Sequence, residues 1–149
     1  MSRDRLLKIL ALFVVLVALL HFSATILSLY WRLLWFDMPV HFLGGAFIAL
    51  SIVWLHSFSG YIPGHITRIL PLTFAVVILG TIAVGIGWEI FERLLGHTWS
   101  IEGYWIDTLT DILMDFLGGI VAYLRTYAIG VIPVKACPRE GGDGNPEPH

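Results

Sequence analysis

Four runs of about twenty apolar residues, joined by short polar or aromatic links, dominate this chain and leave it little choice of fold. They cover about residues 9–30, 39–58, 69–91 and 107–127, and about 20 apolar residues is the length a helix needs to cross a bilayer. Of the 149 residues, 57% are hydrophobic and only 13% charged, where soluble domains carry roughly 25% charged. The expected architecture is an all-α membrane protein: a four-transmembrane-helix antiparallel bundle filling residues 9–130. A basic head, residues 1–8, precedes it. The tail, residues 131–149, is rich in proline, glycine and charge, a composition that predicts disorder.

The first run continues past Ser23, Ala24 and Thr25, a possible cleavage site, and outlasts the roughly 7–15 apolar residues of a secretory leader. An uncleaved first span is expected. The links WRLLWFDMPV and RLLGHTWSIEGYW place tryptophan and tyrosine where helices leave the hydrocarbon. Gly60, Pro63 and Gly64 mark a turn between the second and third spans. In the third span, Gly80, Gly85 and Gly87 would allow close helix approach, which predicts a central position. With four spans, Arg3, Arg5, Lys8, Arg68, Arg125, Lys135 and Arg139 fall on one side and only Arg32 and Arg93 on the other. Lysine and arginine favour the cytoplasmic face, so both termini are expected there, in a bacterial inner or plasma membrane. The single cysteine, Cys137, excludes an internal disulfide and a cysteine-based metal knuckle. A net charge of −2 without a basic patch argues against nucleic acid.

Within this apolar chain the acids are unevenly placed. Asp107, Asp111 and Asp115 recur every four residues and so stack on one helical face. Asp37 and His41 are four apart, and Glu89 and Glu92 three apart, so each pair also shares a face. Chain parity brings these groups to one end of the bundle, the outer one in the orientation above. A carboxylate in an apolar interior costs several kcal/mol unless it is paired, protonated or bound to a cation. Arg93, Arg32 and a protonated His41 are too few to balance six acids, which leaves metal ions or protons.

Individual residues have plainer readings. Asp37 and Asp107 could be N-caps, Glu89 could pair with Arg93, and His41 could be a satisfied polar residue. Glu102 lies in a link and is expected to be solvated, as are His65 and His97. Asp111 and Asp115 lie beyond the first helical turn, where capping does not reach. His21 and His56 differ in depth along their spans, and no haem is expected.

The segments FDMPVHFLGG, GWEIFE and DTLTDILMDFLGG resemble, in order and spacing, the pattern of the VanZ-like membrane proteins, and more closely their YjdF-like branch. The likeness covers about residues 35–125. Met38 stands where the VanZ pattern has lysine, and Glu92 where it has glutamine, which favours the YjdF-like branch. The resemblance implies a membrane helical fold and points to Asp37, His41, Glu89, Glu92, Asp111, Asp115 and Gly118. It implies no settled activity.

The expected function is a divalent-metal site at the outer-leaflet end of the bundle, acting on a lipid-linked or phosphate-bearing envelope substrate. The ligand set is Asp37, His41, Glu89, Glu92, Asp111 and Asp115, with Asp107 as a further possibility. His41, Glu89, Asp111 and Asp115 are the groups placed for catalysis. Carboxylate oxygens suit Mg²⁺ or Mn²⁺, and an imidazole admits Zn²⁺. The expected partners are membrane lipid and a lipid-linked substrate. Two alternatives stand beside this: a non-catalytic membrane factor with a structural metal, and an ion or proton translocator, which at this length would have to oligomerise.

Overall fold

The structure, a computed structural model, describes residues 2–33, 35–59, 70–96 and 103–130. The turn at Gly60–Gly64, Arg68, His65, His97, Glu102 and the tail from residue 131, with Cys137, lie outside the described residues.

Among the described residues all regular structure is helical: α1 (Arg3–Ile26), α2 (Leu29–Arg32), α3 (Asp37–Phe58), α4 (Leu70–Leu94) and α5 (Tyr104–Ala128). Three of these helices, α1, α3 and α4, are long and apolar enough to cross a membrane. The fifth matches them with 25 residues but carries Asp107, Asp111, Asp115 and Arg125.

The helix ends depart from the apolar pattern in physically informative ways. The first apolar run extends to Tyr30, yet α1 takes in the basic head from Arg3 and stops at Ile26. Ser28 adopts a left-handed backbone (φ 54°, ψ 37°) through which an α-helix cannot continue. The Thr25 hydroxyl donates to the His21 carbonyl, and α2 folds back so that the Tyr30 hydroxyl lies 2.9 Å from His21 Nδ1. Neither suspected cap is one. Asp37 is the first residue inside α3, after Phe36, and Asp107 lies a turn inside α5, whose N-cap is Gly103; neither N-cap residue makes a side-chain capping bond.

α1 and α4 end where α3 and α5 begin, so the latter two run parallel, and theirs is the most extensive contact between helices. Glycine makes that contact possible. A Cβ on Gly45 would run into the backbone carbonyl of Asp115, and one on Gly118 into that of Phe42. The two segments also repeat each other. Asp-x-x-x-His-Phe-Leu-Gly-Gly at 37–45 returns as Asp-x-x-x-Asp-Phe-Leu-Gly-Gly at 111–119. The apolar core, formed around Leu6, Leu10, Leu50, Val53, Val77 and Tyr123, fills the half of the bundle away from the acids.

Candidate metal centre

His41 stands at the centre of the acidic end. Its Nε2 lies 3.8 Å from Asp37 Oδ1, 3.9 Å from Glu89 Oε1 and 4.0 Å from Asp111 Oδ2. Its other nitrogen, Nδ1, faces Asp115 Oδ2 at 3.3 Å. His41 and Asp115 occupy matching places in the two repeats, as do Asp37 and Asp111, so the parallel packing of α3 and α5 brings equivalent residues together. His41, Glu89, Asp111 and Asp115 are 6%, 7%, 3% and 6% exposed, which leaves little water to screen them.

The helices position each group. α3 places Asp37 and His41 one turn apart on its inner face, and α5 does the same with Asp111 and Asp115. α4 contributes Glu89 from near its C-terminal end. The Glu89 side chain turns inward: Oε2 accepts a hydrogen bond from the Thr108 hydroxyl at 2.9 Å, while Oε1 is buried, without a hydrogen-bond partner, and faces His41. Gly85, one turn earlier on α4, makes room for Asp115, since a Cβ there would stand 2.5 Å from Asp115 Oδ2.

Four carboxylates around one imidazole remain three charges out of balance even when the imidazole is protonated, if all four are ionised. At 4 Å and an effective dielectric constant of 20, one pair of like charges repels by about 4 kcal/mol, so the set needs cations or protons. Asp37, His41 and Asp111 form a group able to hold a metal ion, with one ligating atom of each within 4.8 Å of the others. His41 Nε2 is directed at those oxygens while Nδ1 can donate to Asp115, the arrangement in which an outer carboxylate orients a metal-bound imidazole. Asp115 thus stands behind His41 rather than beside the other acids.

Two residues of the expected ligand set, Glu92 and Asp107, are not part of the metal-capable trio, although Glu92 lines a cavity together with Asp37 and His41. Glu92 lies on the side of α4 where the Trp88 indole N–H donates to its Oε1 at 2.8 Å. Asp107 is partly buried near the start of α5, outside the metal-capable trio. Three other residues belong to the region: Thr108, inside a motif segment but not singled out by it, and His21 and Tyr30, outside all of the segments. Burial first, then the nearby Asp37 and Glu92 carboxylates, push the Tyr30 hydroxyl well above its usual range, so it stays protonated and can donate to His21. Its position follows from the Ser28 turn. The repeat at 37–45 and 111–119, by contrast, is visible on comparing the sequence with itself.

A family model described as a predicted membrane protein, DUF2238, matches residues 2–130. No curated protein and no solved structure matches the chain.

Proposed function

The chain belongs to DUF2238, a family of predicted membrane proteins, and on that premise we propose that it works as a divalent-metal site at the outer face of a bilayer. The observation that carries this reading is the single imidazole with Nε2 within 4.0 Å of carboxylates from three helices, one of whose oxygens lacks a hydrogen-bond partner.

The proposal includes α5 as a fourth span. Its outward face shows Leu109, Leu113, Val121 and Leu124, all exposed, while Asp111, Asp115 and Gly118 face α3. Acids inside and large apolar side chains outside suit a helix surrounded by lipid. At about 1.5 Å per residue the four long helices measure roughly 33–38 Å, enough for a hydrocarbon core of about 30 Å. The lysine and arginine distribution orients the bundle with both termini cytoplasmic, in a bacterial inner or plasma membrane. Motif order and spacing support kinship with the VanZ-like proteins, nearest the YjdF-like branch.

Asp37, His41 and Asp111 would hold the cation, with Glu89 Oε1 beside it as the general base and Asp115 as the group that orients His41. Such oxygen and nitrogen donors suit Mg²⁺, Mn²⁺ or Zn²⁺. A divalent ion here supplies charge that steadies phosphate oxygens and acidifies water. In the hydrolysis this set could support, the water oxygen bonds to phosphorus as the ester P–O bond breaks. Glu89 would take the water's proton as the new bond forms and pass it to the departing alkoxide, which leaves as the alcohol. The substrate class is a phosphate-bearing lipid of the envelope. A structural metal is the second reading, favoured by donors on α3, α4 and α5; with Glu89 as a ligand rather than a base, one ion would staple the three together. Translocation has less support, because the apolar core fills the other half of the bundle.

Elemental analysis of protein purified in mild detergent tests the metal reading directly. A stoichiometric divalent ion, lost in His41→Ala, is the expected result, with a melting temperature that falls in EDTA and recovers with Mn²⁺. Metal-free protein whose melting is indifferent to EDTA, Mn²⁺, Mg²⁺ and Zn²⁺ would sink it.

A further inference from the structure

The acidic cluster does not end in solvent alone. A cavity of about 390 Å³ lies between α1, α3 and α4, and His21, Asp37, His41, Glu92 and Asp115 line its polar end. Apart from Thr81 and the Trp88 indole, the remaining walls are apolar, with Val14 and Ala18 from α1, Phe47 and Ile48 from α3, and Val84 from α4. From His41 to Ile48, or from His21 to Val14, is seven residues, so the apolar shaft runs about 10 Å at 1.5 Å per residue. That is a large part of a leaflet of about 15 Å.

α1 packs on α2 and α3, and α4 on α3 and α5, so α3 floors the cavity and α1 and α4 flank it. Val14, Ala18 and Val84 remain exposed along the flanks, in the zone where lipid would surround the bundle. A small polar ligand would gain nothing from such walls, and two acyl chains would overfill a volume near the lower end of the roughly 300–1,000 Å³ of ligand pockets.

We infer that this cleft binds a single-chain lipid phosphate, its chain between α1 and α4 and its phosphate at the His41 end. The phosphate assignment rests on the metal reading above, since the carboxylates alone would repel an anion and a bound cation reverses that. The chain assignment rests on the cleft itself. The cleft meets the metal-capable trio through Asp37 and His41, which belong to both.

The probe is farnesyl phosphate, titrated with Mn²⁺ into wild-type protein in detergent and followed by thermal stability and calorimetry. It should bind at least ~10-fold more tightly than inorganic phosphate, farnesol or dioleoyl phosphatidic acid, because only it combines one buried chain with a phosphate. Ala18→Phe and Val84→Trp, both at exposed positions on the cleft, should each weaken farnesyl phosphate by a similar factor while leaving Mn²⁺ affinity unchanged. Equal binding of inorganic phosphate and farnesyl phosphate, or unaltered lipid affinity in both variants, overturns the cleft while the metal reading survives. Absence of Mn²⁺ binding to the wild type overturns the metal reading and the phosphate assignment with it. Tight binding of dodecyltrimethylammonium in EDTA would assign the cleft to a cationic amphiphile instead.

Discussion

His41 presents its two nitrogens to different tasks, and the difference predicts how neighbouring acids respond to substitution. Asp115 meets Nδ1 and stands behind the ring, whereas Asp37, Glu89 and Asp111 converge on Nε2. Losing an orienting carboxylate costs about 10–100-fold in metal affinity, so Asp115→Asn should weaken Mn²⁺ within that range and Asp111→Ala should abolish measurable binding. Mn²⁺ paramagnetic resonance separates the two outcomes. Asp111→Asn acts in opposite directions on the two forms. In EDTA it relieves a crowded set of like charges and should raise stability by on the order of 1 kcal/mol, while the gain on adding Mn²⁺ disappears. Acid should act in the same sense as these variants. Carboxylates and imidazole bind metal only when deprotonated, so Mn²⁺ affinity should fall steadily as pH drops from about 7.5 to about 5.5.

Among the helices, α3 and α5 carry the site because they can approach closely. The contact depends on specific glycines rather than on glycine content. Gly45→Ala pushes a methyl into the Asp115 carbonyl and should destabilise the bundle by about 1–3 kcal/mol, whereas Gly87→Ala, with open space around it, should be neutral in thermal unfolding. Gly85→Ala is a different kind of variant. Its methyl would displace the Asp115 carboxylate rather than a backbone, so Mn²⁺ affinity should drop while the melting temperature of the metal-free protein holds. The motifs bring Gly118 to attention, and the structure shows that what it relieves is the carbonyl of Phe42. The contact between α3 and α5 is not implied by helix order. Consecutive helices are joined by short links, yet the closest pair is one step removed in the chain and parallel.

The molecule as a whole is turned inside out relative to a soluble domain, with His41, Glu89, Asp111 and Asp115 buried and Leu12, Phe22, Leu79 and Leu109 exposed. That distribution suits a hydrocarbon surround, in which exposed leucine costs nothing and buried acids need partners. It also makes the proposed orientation testable with single cysteines on a Cys137→Ser background. Leu95 lies at the acidic end and Ser2 at the opposite one, and both are exposed. In intact cells with a permeable outer envelope, Leu95→Cys should react with a membrane-impermeant maleimide, while Ser2→Cys should require opening of the inner membrane. The reverse pattern would invert the bundle and place the metal site in the cytoplasm.

The sequence by itself determined the class of fold and the end of the molecule that matters. Runs of apolar residues long enough to cross hydrocarbon demand helices, and their parity gathers Asp37, His41, Glu89, Asp111 and Asp115 at one end whichever way the bundle is inserted. Spacing also told that Asp111 and Asp115 share a face, because 3.6 residues per turn is a local property. The tertiary structure decided what spacing cannot reach. It made His41 the hub, put Asp115 behind the imidazole and Glu92 against Trp88, and ended α1 at the Ser28 turn, which brought Tyr30 to His21. Each of these depends on the distance and rotation between helices. Those are set by where Gly45, Gly85 and Gly118 allow backbones and carboxylates to approach, a property of pairs of helices that no single helix carries.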